Sequence, residues 1–493
     1  MNSEAPRLQL RRLLWSRWVL ATFALGLGLR IWVLMSSLGS ANADETYTGL
    51  QSVEILHGHL PVVIGAIRYT APLESYLYAP FVAVFGLHTV PLKLLPSIGW
   101  LIASVLMIGA ARRIVNDATA LLAGALIWLA PGALLVVATR AYEAYSTGLA
   151  IVVAALWAVL VAVQRAEKLR PRDSVLAGFL LGLAFYAHPM FLAVALPMGA
   201  TATWVHRRRV RAWLLPAALS FFAANSLFIL WNAINQWPSL SQPAVETNGP
   251  LSRFAHFFDE LAPRVFGLRK TDGSWVYGVG LSLALYLAVG CVIVIGVVQL
   301  ARSRRADQMV VVSVVVVSWF VMAGFTNLSF VIDGRYGIIN FPFLALAFAV
   351  GAQHLLRSRS FANLWLVVAW VALFTVPWVT QQGGRDIGDP NAQITTVISI
   401  LSDRGFDRVA GTYWLVFPLE YVSGQEIRVA VSGHPYVILL PDSQRLVQAT
   451  PSDRLAFLFA APAPEALLMY PVDQYELIRV GSLYLYLPTA ASS

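Results

Sequence analysis

Residues 15–37 read WSRWVLATFALGLGLRIWVLMSS, and residues 38–45 continue LGSANADE. The first stretch exceeds the about 18 apolar residues that identify a membrane-crossing helix. Past Arg17, its one charge is Arg30. No A-x-A cleavage pattern follows, so it predicts an uncleaved first span rather than a signal peptide. The chain then meets the acidic pair Asp44–Glu45. Apolar runs of similar length recur down the sequence. Hydrophobic residues make up 58% and charged residues 12% of the 493 positions, and mean hydropathy is +0.66. Soluble domains carry roughly 25% charged residues, so most of this chain is built to face lipid. The predicted fold class is a polytopic α-helical membrane protein.

The net charge of +9 forms no stripe suited to nucleic acid. It falls in short clusters between apolar runs: Arg7/Arg11/Arg12/Arg17, Arg112/Arg113, Arg165/Lys168/Arg170/Arg172, Arg207/Arg208/Arg209/Arg211, Arg302/Arg304/Arg305 and Arg357/Arg359. Basic loops beside spans stay in the cytoplasm. Alternating the runs between these clusters predicts about 11 spans, at 15–37, 92–111, 118–137, 141–163, 174–187, 189–205, 212–231, 276–300, 308–326, 336–353 and 362–380. The N-terminus is then cytoplasmic, and segments 38–91 and 232–275 are long external loops. Pro72–Leu87 is also apolar, but a crossing there would move every later basic cluster outside. It is predicted to be a juxtamembrane or re-entrant helix on the outer face. Gly178-x-x-x-Gly182 permits close helix packing, yet with 34 glycines that spacing is expected by chance. The lone Cys291 allows no internal disulfide.

Residues 1–380 thus form a transmembrane domain, and 381–493 change character as charges return and apolar runs shorten. Asp389-Pro390 predicts a helix start. Ile394, Val397, Ile398 and Leu401 follow the spacing of an amphipathic helix, which Gly405 ends. Strand-like runs follow at 408–413, 426–431, 436–440 and 455–459, and 475–480 with 483–487 reads as a hairpin around Gly481-Ser482. A small extracytoplasmic α/β domain is expected. The first outer loop carries the densest chemistry: Asp44–Glu45, a short helix 45–57 stopped by Gly58, then Arg68, Tyr69, Glu74 and Tyr76.

These residues resemble a known family. Ala43-Asp44-Glu45 after the first span, with Arg68-Tyr-Thr-Ala-Pro-Leu-Glu-Ser-Tyr-Leu-Tyr-Ala-Pro-Phe-Val-Ala-Val-Phe-Gly86, looks like the first external loop of GT-C glycosyltransferases. The nearer likeness is to the bacterial branch related to protein O-mannosyltransferases and the lipid A aminoarabinose transferase. Lys93-Leu-Leu-Pro-Ser97, Thr139-Arg140-Ala-Tyr-Glu143 and Asp333-Gly-Arg-Tyr336 also fit, and the likeness covers most of residues 10–360. It implies an inverting transferase in the cytoplasmic membrane. The donor would be a sugar on a polyprenyl-phosphate carrier, used at the outer face, and the acceptor a lipid, protein or polysaccharide. The family's base corresponds to Asp44.

Inversion requires one carboxylate to accept a proton from the acceptor. The bland alternative for Asp44 is the N-cap of the following helix. Glu45 is expected either to orient the acceptor or Asp44, or to be a solvated first-turn carboxylate favoured by the helix dipole. Arg335 and Tyr336 are the expected donor-phosphate pair, by the resemblance and by the fork geometry of arginine; the alternative is an interfacial anchor. Arg30, a charge inside a span, is a phosphate holder or the partner of a buried acid. Lys93 stands where many relatives have Arg, so it offers only a point charge. Tyr69, Glu74, Arg140, Glu143 and His188 are candidates for the substrate pocket, although Arg140 and Glu143 sit one turn apart and suit each other. His57, His59 and His188 with Glu74 could form a metal site but match no metal spacing, so a divalent metal stays open without support and no other cofactor is implied. Gly26-Leu-Gly28 lacks the third glycine of a nucleotide-binding pattern. Two other classes stay open: an O-antigen ligase or polymerase using Arg253, Arg264, Arg269 and Lys270 of the 232–275 loop, and a lipid-linked sugar transporter or flippase. Asn327-Leu-Ser329 is a formal glycosylation sequon.

Overall fold

The computed structural model describes residues 5–65, 67–240, 249–325, 334–356, 360–432, 440–462 and 474–489. The sequon, Asp333, the Arg357/Arg359 cluster and most of the strand-like run 436–440 lie outside the described residues. Helices occupy all eleven segments expected to span. Six are long and apolar enough to cross a membrane: Arg17–Leu34, Thr89–Ala111, Tyr145–Gln164, Gly278–Arg302, Ala306–Gly324 and Asn363–Gly384. A seventh results if Arg207–Ala224 and Ser226–Ile234, bent by 57°, count as one broken span. Asp117–Trp128, Pro189–Val205 and Phe341–Leu356 are apolar but shorter. The chain is a multi-pass membrane protein, with fewer full-length crossings by this measure than the eleven expected. The Leu73–Phe85 helix within Pro72–Leu87 has 13 residues, or about 20 Å at 1.5 Å per residue. That falls short of a hydrocarbon core of about 30 Å.

The chain divides into two compact units. Unit 1 holds residues 1–34, 96–139 and 145–386 and is helical. Its closest helix pairs meet through glycine. A side chain on Gly178 would collide with the backbone of Ala217, and one on Gly182 would lie 2.6 Å from the Phe221 carbonyl oxygen. The Pro171–Ala187 and Val210–Ala224 helices therefore touch backbone to backbone, and chance does not explain the spacing of the pair. Gly296 and Gly351 do the same reciprocally for Gly278–Arg302 and Phe341–Leu356. In lipid, where the hydrophobic effect gives helices no reason to associate, such van der Waals contact is what holds them. At the 57° bend, Asn225 Nδ2 donates to Gly182 O at 3.0 Å and Phe221 O at 2.8 Å, supplying a donor where the helix is interrupted.

Unit 2 holds residues 35–95, 140–144 and 387–493. The first outer loop thus shares a unit with the C-terminal segment, a grouping the sequence boundary at 380/381 does not convey. Its sheet has the order β2-β1-β3-β5-β4, with β1 Arg408–Gly411, β2 Arg428–Val431, β3 Ala456–Phe459, β4 Tyr475–Val480 and β5 Leu483–Pro488. The first three strands are parallel, and β4–β5 is the expected hairpin, turning on Gly481 at φ +60°. The amphipathic helix runs Ala392–Asp403 and buries Ile394, Val397 and Leu401. It starts later than Asp389-Pro390 predicts, because Asp389 Oδ1 instead closes a turn onto Asn391 N at 2.9 Å. One apolar core joins Ala43, Tyr47, Leu50 and Tyr78 from the first loop to Val409, Val416, Tyr421 and Leu458 from the C-terminal segment.

Candidate active site

The helix carrying the acidic pair runs Ala43–Leu56. It starts two residues before Glu45, so Asn42 is its cap and Asp44 is not. Asn42 Oδ1 accepts from Asp44 N at 2.9 Å, and Asn42 N donates to Glu45 Oε1 at 2.8 Å. This is a capping box, in which cap and first turn satisfy each other's amides. It frees the Asp44 carboxylate from capping. Asp44 is partly exposed, and its Oδ1 accepts from the Tyr413 hydroxyl at 2.7 Å.

Glu45 departs from the solvated carboxylate considered for it. It is 0% exposed and pairs with Lys93 Nζ at 2.6 Å. Lys93 is itself buried and also donates to Ser40 O at 3.2 Å. Burial of both charges is tolerable only because the pair and its hydrogen bonds replace water.

Residues 140–144 belong to the same unit. Thr48 Oγ1 donates to Ala141 O at 2.9 Å, and Arg140 donates to the Tyr142 hydroxyl at 2.8 Å and to Leu38 O at 3.2 Å. Glu143 sits at φ +34°, a conformation uncommon for a residue with a side chain and held only where surroundings over-determine it. Glu74 is buried in the first turn of Leu73–Phe85, and Tyr69 is partly exposed in the preceding turn.

The remaining expected residues belong to unit 1. Arg335 follows Gly334, whose φ of +72° suits glycine, and its guanidinium lies 5.6 Å from the Tyr336 ring. Tyr336 and His188 both pack on Tyr145, at 5.8 and 5.4 Å between ring centres. His188 is buried and its Nδ1 accepts from Met190 N at 3.1 Å, so it organises the junction between two helices. Arg30 is 2% exposed. It donates to Gly26 O and Trp128 O at 3.0 and 2.9 Å and lies 3.6 Å from the Trp128 ring. Among the described residues no carboxylate pairs with Arg30, and its buried Nε and Nη2 meet no hydrogen-bond partner. In the 249–275 part of the second loop, Arg264 and Arg269 both pair with Glu260, and Lys270 lies 3.7 Å from Asp272. Their charges are taken up locally. No cluster of three or more His, Cys, Asp or Glu side chains with metal-ligand geometry occurs among the described residues.

Tyr413, expected to end the strand-like run 408–413, instead opens a helix, Tyr413–Val422, after β1 stops at Gly411, and its part in the site escaped the sequence reading. Its sequence YWLVFPLEYV is rich in residues favoured in strands and carries an internal proline. The one available signal was the i, i+3 apolar spacing of Tyr413, Val416 and Leu419.

No protein-family model matches the chain, and no curated protein matches its sequence. Solved structures do match in fold. ArnT from Cupriavidus metallidurans in the apo state superposes with a TM-score of 0.64 at 11% identity, over 96% of this chain and 98% of that one. The same protein bound to undecaprenyl phosphate gives 0.61, over 97% and 99%. The archaeal oligosaccharyltransferase AglB from Archaeoglobus fulgidus, in complex with an inhibitory peptide and a dolichol-phosphate, gives 0.52 at 13% identity, over 97% and 75%. The fold is that of the GT-C glycosyltransferases.

Proposed function

We propose that this chain is an inverting glycosyltransferase that moves a sugar from a polyprenyl-phosphate carrier to an acceptor at the outer face of the cytoplasmic membrane. Asp44 accepts the proton of the acceptor X–H group as X bonds to the anomeric carbon. The bond from that carbon to the phosphate oxygen breaks on the opposite side. The polyprenyl phosphate leaves with the bonding pair as a weakly basic anion, so the chemistry calls for no strong general acid, unlike a glycosidase with its two carboxylates. The split between the two acids carries this reading. Glu45 is sealed from solvent in an ion pair with Lys93, whereas Asp44, on the same helical turn, is partly exposed and accepts a hydrogen bond from the Tyr413 hydroxyl.

Arg335 and Tyr336 are the proposed donor-phosphate residues. Lys93 is committed to Glu45 and drops out of that role, whereas Arg30 stays a proposed phosphate holder, since its buried Nε and Nη2 meet no hydrogen-bond partner among the described residues. Tyr69, Glu74, Arg140 and Glu143 stay proposed pocket residues. The pairing of Arg264, Arg269 and Lys270 with acids argues against a ligase or polymerase built on those cations.

The test uses purified protein in liposomes, undecaprenyl phosphate carrying labelled hexoses or pentoses, and membranes from gene-deletion cells as acceptor. Asp44→Asn is expected to slow transfer by about 10²–10⁴-fold, the usual contribution of a positioned base. Full activity in that variant, or lipid movement without glycosyl product, would overturn the proposal.

A further inference from the structure

The contact between Tyr413 and Asp44 gives the C-terminal segment a part in the reaction. Resting on the function proposed above, we infer that Tyr413 is the positioning residue of the base: its hydroxyl fixes the rotation of the Asp44 carboxylate toward the acceptor. A carboxylate on the first turn of a helix otherwise rotates about two side-chain torsions, the second of them broad and poorly defined. The 2.7 Å hydrogen bond from Tyr413 removes that freedom. The phenol is itself held, because its ring packs edge-on against Trp414 and Phe417 at 5.0 and 5.1 Å. The helix behind it buries Val416, Phe417, Leu419 and Tyr421 in the core that also receives Tyr47 and Leu50 from the Asp44 helix. The donor of the hydrogen bond and the base it orients thus rest on one shared core. Misplacing a reacting group by about 1 Å lowers rates by as much as 100-fold, so this geometry governs turnover.

Tyr413→Phe keeps the ring contacts and removes only the hydroxyl. The expected result is a kcat lower by about 10–100-fold, an unchanged KM for the undecaprenyl-phosphate sugar, and an unchanged melting temperature. A wild-type kcat in this variant, with Asp44→Asn inactive, overturns the positioning role and leaves the proposed function standing. Loss of kcat together with a lowered melting temperature assigns Tyr413 to folding and also overturns it. Activity in Asp44→Asn defeats the underlying function instead.

A separate observation in unit 1 supports a second inference, independent of the transfer reaction. A cavity of about 410 Å³ is lined by the charged residues Arg113, Arg165, Arg172 and Asp173 together with the apolar Trp157, Val161 and Leu176. Asp173 holds Arg165 at 2.8 Å, leaving a net positive balance from Arg113 and Arg172. Arg113 Nη1 donates to Gln164 at 3.0 Å, while its buried Nε meets no hydrogen-bond partner among the described residues. Arg172 is exposed, and beyond it Val175, Leu176 and Phe179 are 42–43% exposed on the same helix. A cationic pocket continuous with a lipid-facing apolar strip fits a phosphate with acyl chains attached. We infer that this cavity binds the headgroup of an anionic glycerophospholipid.

The full chain in neutral detergent is expected to melt at higher temperature with phosphatidylglycerol than with phosphatidylcholine. Arg172→Ala, which alters only an exposed side chain, should remove most of that difference, and Arg113→Ala/Arg172→Ala all of it. Equal shifts from both lipids, an undiminished shift in the double variant, or the same shift from inorganic phosphate alone would each overturn lipid binding here.

Discussion

The two units neutralise a buried cation in different ways. In unit 1, Arg30 is enclosed by two backbone carbonyls and the face of Trp128, all of them uncharged. In unit 2, Lys93 meets a full negative charge on Glu45. Packing differs in parallel. Unit 1 joins helices through glycines at backbone distance, and unit 2 through interlocked aromatic and aliphatic side chains around a sheet. A segment read as membrane-spanning relies on dipoles and contact, since lipid supplies no hydrophobic drive between helices. A segment read as facing water keeps that drive and can bury a formal ion pair.

Four substitutions test this contrast. Lys93→Met, which strands Glu45 in a dry site, should cost about 3–5 kcal/mol of stability. The double variant Glu45→Leu/Lys93→Met should recover most of it, and denaturation in mixed micelles would show whether it does. Gly178→Leu drives a side chain into a neighbouring helix backbone. Overpacking of that kind costs about 1–3 kcal/mol or somewhat more, and unit 1 should loosen first by hydrogen exchange. Arg30→Met should cost less than Lys93→Met, about 2 kcal/mol for a desolvated cation–aromatic contact, because no opposite charge is left behind. A cost equal to that of Lys93→Met would break the comparison.

The smallest effect is on pH dependence. Glu420, buried behind β2, has its carboxyl pushed above the usual range by burial, against the opposing pull of Ser443, Arg428 and the Val429 amide. The folded chain therefore holds this proton more tightly than the unfolded one. Its contribution to stability is full below the ordinary glutamate value of about 4.3 and is lost as pH rises through the raised value. Melting curves of the full chain from pH 4 to 7 should slope downward, and Glu420→Gln should flatten them.

Much of this was legible in the chain itself. Long apolar runs became helices, and the Gly481-Ser482 turn became a hairpin, because periodicity and turn chemistry act locally. The pairing of Glu45 with Lys93 was not legible, since the residues are 48 positions apart and each has a bland local reading. The Asn42 cap was missed because Asp44 offered an equally good one. The Gly178/Gly182 contact needs knowledge of which helix lies opposite. Tyr413 was hidden twice over, by a helix written in strand-forming residues and by the distance in sequence to its partner.

Adjacency in the acidic pair has its own consequence. Successive residues on a helix point about 100° apart, and here the two directions lead to Tyr413 and to Lys93. The two carboxylates are thus not interchangeable, although each is one residue from the other. A single-residue insertion between Asn42 and Asp44 would preserve every functional group and still turn the Asp44 carboxylate away from its hydroxyl partner. The exchange Asp44→Glu/Glu45→Asp would keep composition and charge and fail in both directions. A search for distant homologues is therefore better guided by the phase of the pair relative to its cap than by the presence of two acids.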